Sequence, residues 1–164
     1  MNRTIRIAKR SDVPLIFSLI VELATYEQAP DQVNGNEELL ASALFGPSPS
    51  AQAVIAELDG KAVGFALFHG SFSTWECRPG IWLEDLYVPP EHRCAGVGQA
   101  LLRHLAAIAL ERGCTRLEWA ALDGSTPALD LYGKLGATRL DEWRMHRLDG
   151  AALERVADRA ADER

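Results

Sequence analysis

The stretch from residue 81 to residue 109 constrains the fold more than any other part of this sequence. Residues 81–88 are apolar and β-prone apart from two acids, which predicts a strand. Pro89-Pro90 must end that strand, because proline has no amide hydrogen to donate to a sheet. Beyond Gly98, apolar residues recur at helical spacing and form one face, made of Ala100, Leu101, Leu102, Leu105, Ala106 and Ala109. The stretch therefore predicts a strand, a tight polar turn and an amphipathic helix.

The turn between that strand and helix has the spacing Arg-x-x-Gly-x-Gly over residues 93–98. Glycine has no Cβ, so the backbone amides of such a turn can approach an anion closely, and the helix start adds partial positive charge. Arg93 can add a charged donor. The spacing matches neither the phosphate loop of ATPases nor the dinucleotide pattern Gly-x-Gly-x-x-Gly. The turn indicates a phosphate or pyrophosphate site, and the alternative is a helix cap whose glycines only close a turn.

Composition restricts the partners that the chain can have. Its 164 residues suffice for one domain with a real core, and 48% hydrophobic with 24% charged residues is ordinary for a globular protein. A net charge of −6 argues against nucleic acid as the main partner and permits a cationic substrate. The three cysteines, like His92 and His104, lack metal-ligand spacing, so no metal is expected. Without a signal peptide or a membrane-spanning stretch, the cytoplasm is the expected compartment.

Periodicity and turn signals predict one ordered series of strands and helices. The predicted strands cover residues 4–8, 51–58, 61–69, 81–88, 115–121 and 144–148, and an Asp59-Gly60 turn joins the second to the third. The predicted helices cover residues 13–26, 37–45, 98–112, 126–136 and 151–161. Residues 70–80 are expected to be irregular. The order suits a mixed sheet with helices on both faces.

An Arg-x-x-Gly-x-Gly turn that follows a strand and opens a helix resembles the acetyl-CoA pyrophosphate loop of the GNAT superfamily of N-acetyltransferases. Residues 130–137, which include Tyr132, are similar to a second GNAT segment, whose tyrosine reaches the CoA sulfur. The resemblance implies the GNAT acyl-CoA N-acyltransferase fold: an α/β fold with a central mixed β-sheet and helices on both faces. It also implies a single domain over residues 1–164, and acetyl-CoA as the acetyl donor, with no metal.

Three further segments are similar to the diamine (spermidine/spermine) and thialysine N-acetyltransferases of that superfamily. They are residues 83–88 (Leu-Glu-Asp-Leu-Tyr-Val), residues 24–27 with 32–33, and residues 73–75 (Ser-Thr-Trp). The similarity runs from about Ile5 to Ala157. Two departures affect the site: Cys94 stands where these relatives often have glycine, and Gly124-Ser125 stands where they have Trp-Asn.

Two residues are candidates for the chemistry. Glu84 is the candidate general base, acting through water, and side-chain alternation along a strand predicts that the neighbouring Asp85 points to the opposite face. The alternative for Glu84 is a solvent-facing or arginine-paired acid. Tyr132 is the candidate general acid, and the alternative is a helix tyrosine with its ring in the core. A phenol pKa of about 10 against a thiol pKa of about 8.5 makes a hydrogen bond to the thiolate as plausible as complete proton transfer.

The resemblance also implies which residues bind the two substrates. The implied amine-binding residues are Tyr26, Glu27, Glu84 and Asp85. The implied acetyl-CoA-binding residues are Leu86, Tyr87, Val88, Arg93, Cys94, Ala95, Gly96, Val97, Gly98, Gln99 and Ser125.

These roles predict an acetyl-CoA-dependent N-acetyltransferase for a primary amine of a diamine, a polyamine or a lysine/thialysine-like amino acid. By resemblance, the amine attacks directly in a ternary complex, and the chain forms a homodimer. Neither Cys94 nor Cys114 has an evident histidine partner that would make it an acyl carrier. Two alternatives stay open: an acetyltransferase for a protein N-terminus or lysine, and a CoA-binding sensor without turnover.

Overall fold

The computed structural model describes residues 2–122 and 126–162 of the chain. These residues fall into two compact units, Met1–Gly124 and Ser125–Arg164, and each is described by itself. Among the described residues, no helix combines the length and the apolar character that crossing a membrane requires.

The first unit is built on one five-stranded sheet, whose strands lie in the order in which they occur along the chain. The strands are β1 (Arg3–Ile7), β2 (Gln52–Leu58), β3 (Lys61–Ser73), β4 (Arg78–Tyr87) and β5 (Leu117–Trp119). Neighbouring strands from β1 to β4 pair antiparallel, and β5 pairs parallel to β4. The predicted mixed sheet is therefore confirmed, together with the turn at Asp59 and Gly60.

Helices cover both faces of this sheet. The helices α1 (Val13–Tyr26) and α2 (Glu37–Phe45) pack on one face, where Ile16 and Leu44 share a buried cluster with Phe65 of β3. We call this side of the sheet the α1 face. The helix α3 (Val97–Glu111) packs on the other side, the α3 face, where its Ile108 shares a groove with Phe68, three residues after Phe65. Alternation along β3 puts residues 65, 67 and 69 on the α1 face and residue 68 on the α3 face.

The prediction of an irregular segment over residues 70–80 is wrong. β3 continues to Ser73 and β4 begins at Arg78, so a short turn at 74–77 joins them into a long hairpin. Gly70 and Gly80 predicted breaks in the chain, but Gly70 pairs with Ile81 and Gly80 pairs with Ser71. Cross-strand pairing thus overrides the weak strand preference of glycine.

The second unit contains α4 (Thr126–Lys134) and α5 (Gly150–Asp162), which confirms both predicted helices. The prediction of a strand over residues 144–148 is wrong, because residues 143–149 have no regular secondary structure. A strand needs a neighbour for its backbone hydrogen bonds, and the described residues provide none there.

Candidate active site

The predicted phosphate loop lies between β4 and α3. A short 3-10 turn, Pro90–His92, follows β4, and the amide of Arg93 donates to the carbonyl of Pro90. Beyond it, Cys94 and Gly96 both adopt the left-handed conformation, with φ of 63° and 72°. Glycine adopts it without steric cost, whereas a residue with a Cβ is strained there. The positive φ of Cys94 is thus a physical reason to expect glycine at this position.

The first turn of α3 has amides without an intrahelical partner. Gly96 is the N-cap and has no side chain to accept a hydrogen bond, so the amides of Val97, Gly98 and Gln99 lack a capping partner. The helix α2 shows the contrast, because the side chain of its N-cap Asn36 accepts a hydrogen bond from the amide of Leu39 at 2.9 Å. Free amides and the positive end of the α3 dipole fit an anion such as a pyrophosphate.

The side chain of Arg3 contacts this loop and holds its backbone, a contact that the sequence did not indicate. Its Nη1 donates to the carbonyl of Ala95 at 2.8 Å and would lie only 2.9 Å from a Cβ added to Gly96. In a trans peptide, the carbonyl of residue 95 and the amide of residue 96 point in opposite directions. By holding that carbonyl, Arg3 turns the amide of Gly96 away from itself, towards the other side of the loop. No local pattern could have found this contact, because the two residues are 92 positions apart.

The edge of β4 that faces β5 is unpaired over its second half. The β4–β5 pairing ends where Leu83 meets Trp119, and the observed β5 is shorter than the predicted strand over residues 115–121. Within the described residues, β4 therefore has no strand partner on that side from residue 84 onward. Backbone groups on such an edge can bind an extended ligand by adding it as a further strand. This opening leads to the phosphate loop.

The three predicted cofactor residues at the end of β4 differ in which of their groups are available to a ligand. Leu86 pairs with Ala66 of β3, and the ring of Tyr87 is buried in the core of the α1 face, with a pKa that burial raises. The carbonyl of Val88 accepts a hydrogen bond from Nε of Arg93 at 2.9 Å. Any contact of Tyr87 with a cofactor would therefore involve its backbone.

A β-bulge interrupts the pairing of β3 with β4 at Glu84. Phe68 pairs with Leu83, whereas Leu67 pairs with Asp85, so Glu84 is an extra residue on β4. Residues directly opposite each other in an antiparallel pair point to the same side. Asp85 therefore shares the α1 face with Leu67.

Glu84 lies on that same face, so the prediction that Glu84 and Asp85 point to opposite faces is wrong. The Oε2 of Glu84 accepts a hydrogen bond from Nε1 of Trp82 at 2.9 Å and lies 3.7 Å from Nε2 of His69. Trp82 and His69 are register partners, and His69 lies on the α1 face. The inserted residue cancels the alternation that a regular strand would impose. The bulge thereby gathers two carboxylates on one side of the sheet.

These two carboxylates form an acidic cluster with Glu27, the C-cap of α1. Burial, and then the negative charges of Glu84 and Glu27, raises the pKa of Asp85 to about 6. No basic side chain in the described part of the chain acts to lower that pKa. These three neighbouring acids have no lysine or arginine partner among the described residues, so they favour the binding of a cation, whose positive charge would relieve their mutual repulsion.

Tyr26 joins the acidic cluster to the phosphate loop. The guanidinium of Arg93 lies 4.3 Å from the centre of the Tyr26 ring, a cation–π contact, and the rings of Tyr26 and Tyr87 are 6.5 Å apart. The structure thus brings the predicted amine-binding helix end next to the first residue of the loop motif.

The remaining predicted site residues belong to the second unit. Tyr132 lies in α4 and is half-buried, and its burial raises the pKa of its phenol. Ser125, a predicted cofactor residue, and the preceding Gly124 lie outside the described residues.

The described residues show no group of three or more His, Cys, Asp and Glu side chains arranged to hold a metal ion. All three cysteines are free thiols, of which Cys77 and Cys94 are exposed and Cys114 is buried.

A transferase that moves an acyl group to an amine must bind an activated acyl donor and the amine. The anion-binding turn at the start of α3 and the open edge of β4 suit the donor, and the acidic cluster suits the amine. The chain belongs to the Acetyltransferase (GNAT) family, whose sequence model matches residues 18–137. It is thus an N-acetyltransferase, and its fold implies acetyl-CoA as the donor, a group that the free amides of the loop fit.

Relatives with assigned names cover nearly the whole chain. The Thialysine N-epsilon-acetyltransferase of Bos taurus is 41% identical, in a match that covers 93% of this chain and 96% of that protein. The protein of the same name from Mus musculus is 36% identical and covers 94% of this chain and 97% of its own length. Among solved structures, an integron cassette protein from V. cholerae superposes with a TM-score of 0.79 at 27% identity, covering 96% of this chain and 98% of that chain.

Proposed function

We propose that this enzyme transfers the acetyl group of acetyl-CoA to a primary amine of a small cationic substrate, by direct attack in a ternary complex. The observation that carries the proposal is the acidic cluster of Glu27, Glu84 and Asp85, which lies on the α1 face at the end of the helix next to the phosphate loop. The names of the relatives agree with this chemistry: thialysine N-epsilon-acetyltransferases, and an L-ornithine N5-acetyltransferase that is 26% identical. We infer a diamine, a polyamine or a lysine-like amino acid as the substrate class.

Binding of the donor involves the loop and the open edge of β4. The amides of residues 94–99 hold the pyrophosphate, and the backbone of residues 86–88 pairs with the pantetheine arm. When bound, acetyl-CoA supplies a thioester carbonyl that an amine can attack. Arg93 ties the loop to α1 through Tyr26, so the two substrates bind on connected elements.

The amine is bound as its ammonium form and must lose a proton before it can attack. An alkylammonium has a pKa of about 10.4, so only a small fraction is neutral at pH 7. The acidic cluster attracts the ammonium group, and Glu84, which is half-exposed, removes the proton through water. Asp85 and Glu27 hold the distal or neighbouring positive charge of the substrate.

The departing thiolate needs stabilisation, which we assign to Tyr132. Because burial raises its pKa further above that of a thiol, complete proton transfer from Tyr132 becomes less favourable. A hydrogen bond from the phenol to the sulfur is the role that agrees with this shift.

The experiment is a thiol-release assay with acetyl-CoA across diamines, polyamines, thialysine, ornithine, neutral primary amines and a protein N-terminal peptide. We expect turnover with cationic amines and little with neutral amines of the same length. In Glu27→Gln, the KM for a cationic amine should rise several-fold, while the KM for a neutral amine changes by less than twofold. Thiol release that is equal for cationic and neutral amines, or a protein N-terminal peptide as the best acceptor, would contradict the proposed substrate class.

Three broader expectations from the sequence also stand as proposals: a single functional domain over residues 1–164, a homodimer, and a cytoplasmic location. The free thiols agree with a reducing compartment. Sedimentation equilibrium measures the oligomeric state, and a mass of one chain, 18.0 kDa, at micromolar concentration would contradict the dimer.

A further inference from the structure

His69, which none of the predicted roles includes, lies beside Glu84, the candidate base. One oxygen of Glu84, Oε2, is held by Nε1 of Trp82 at 2.9 Å and lies 3.7 Å from Nε2 of His69. The other oxygen, Oε1, takes part in neither contact. The bulge at Glu84 causes this arrangement, because it turns the carboxylate back towards the β3–β4 pair formed by His69 and Trp82.

A second contact determines which nitrogen of His69 can accept a proton. Nδ1 lies 3.0 Å from the carbonyl oxygen of Gly70. A carbonyl oxygen can only accept, so Nδ1 must carry a hydrogen. In the neutral ring the lone pair is then on Nε2, the nitrogen that faces Glu84. A proton that arrives on Glu84 therefore has a basic nitrogen next to it.

We propose that His69 acts through Glu84, as the group that takes the proton of the substrate amine on from the carboxylate. His69 is a positioning residue in this scheme, because it touches the base and not the reacting atoms. The proposal rests on the proposed function, in which Glu84 is the base.

The proton is the only species that moves in this relay. It leaves the ammonium nitrogen, passes through water to the carboxylate of Glu84, and then binds Nε2 of His69 after a small side-chain movement closes the 3.7 Å gap to hydrogen-bond distance. The imidazolium so formed attracts the carboxylate that has been restored beside it. The side chain of His69 is 39% exposed, so it can release the proton to solvent and return to its starting state. No electron is transferred, and no further reactant is needed.

Free imidazole and carboxylate groups show why the relay helps. Moving a proton from an alkylammonium to a carboxylate is unfavourable by about 10⁶-fold, and moving it to an imidazole by about 10⁴-fold. A carboxylate alone is thus a poor final acceptor, and a neighbouring imidazole improves the equilibrium by up to about a hundredfold. Glu84 is the charged group that contacts the ring, and Trp82, its neighbour across the strand pair, is uncharged.

The test compares three variants in the thiol-release assay with a cationic amine at pH 7. His69→Gln retains a side chain of similar size that cannot accept a proton, and we expect kcat to fall about ten- to a hundredfold with the KM for the amine within twofold of wild type. In His69→Ala, kcat should fall by the same factor as in His69→Gln. Adding imidazole to the buffer should then raise the kcat of His69→Ala several-fold. His104→Gln is the matched control: this histidine lies on α3, away from the α1 face, and its variant should retain full activity.

If His69 had only a structural role, added imidazole would not restore kcat in His69→Ala. An unchanged kcat in His69→Gln, or a loss in His69→Ala that imidazole does not restore, would overturn the inference. Glu84→Gln separates this failure from a failure of the proposed function. If Glu84→Gln is impaired while the His69 variants are fully active, only the relay is wrong, and if Glu84→Gln is fully active, the assignment of the base falls together with the relay.

Discussion

Replacing Gly96 with alanine tests whether the shape of the phosphate loop determines acetyl-CoA affinity. Gly96 has φ of 72°, and an added Cβ would lie 2.9 Å from Nη1 of Arg3, which donates to the carbonyl of Ala95. That Nη1 is the end of a flexible side chain, so it can move away. The substitution therefore acts on the hydrogen bond of Arg3 and on the backbone of the loop, and no clash with the main chain arises.

The size of the effect follows from these two terms. A Cβ in the left-handed conformation costs about 1–2 kcal/mol of stability. Loss of a hydrogen bond from an exposed charged donor costs about 1 kcal/mol more. If the amide of Gly96 loses its fixed direction, we expect acetyl-CoA to bind about 5- to 30-fold more weakly, which corresponds to about 1–2 kcal/mol.

Gly113→Ala is the matched control. Gly113 follows the far end of α3, has φ of 68°, and an added Cβ would meet no atom within 4 Å. In urea, both variants should lose the about 1–2 kcal/mol that a Cβ costs in the left-handed conformation, and Gly96→Ala should lose about 1 kcal/mol more with the hydrogen bond of Arg3. Only Gly96→Ala should show weaker CoA binding by isothermal titration calorimetry. The reasoning is refuted if both variants bind CoA like wild type, or if both weaken it equally.

Three further outcomes are expected. Tyr132→Phe should lower kcat at least tenfold and leave CoA affinity nearly intact, and an unchanged kcat would remove Tyr132 from the chemistry. Asp85 has a folded-state pKa of about 6 against an ordinary value of 3.8, so the folded state binds its proton more tightly, and the free energy of unfolding should fall as pH rises from about 4 to 6. Asp85→Asn should remove up to about 3 kcal/mol of that fall, and urea titrations with the same pH dependence in both proteins would contradict it. Arg3→Ala should weaken CoA binding about fivefold. Arg10→Ala is the control, because it removes a comparable hydrogen bond from an arginine to the carbonyl of Phe45 at 2.8 Å and should leave CoA binding unchanged. Equal effects of the two substitutions would argue against support of the loop by Arg3.

The elements that carry local signals could be predicted from the sequence. The helices that contain Ile16 and Leu101 have strong 3.6-residue periodicity. Pro89-Pro90 ends β4 because proline has no amide hydrogen to donate to a sheet. The loop motif predicted a tight turn before α3, and the structure adds that Gly96 is in the left-handed conformation there.

What the sequence could not provide depends on contacts between distant segments. The bulge at Glu84 exists only through its register with β3, so strand alternation misplaced Asp85. The bond from Arg3 to Ala95 joins two chain segments that share no pattern. His69 could not be singled out either, because its role follows from its nearness to Glu84 across the bulged pair.

The most direct measurement is a crystal structure of the enzyme with CoA bound. The central claim is that the left-handed turn between β4 and α3 holds the pyrophosphate through its free amides. We expect phosphate oxygens within about 3 Å of amides in residues 94–99, and the pantetheine arm along the unpaired edge of β4. A pyrophosphate bound elsewhere, with the amides of this turn facing only water, would contradict the claim.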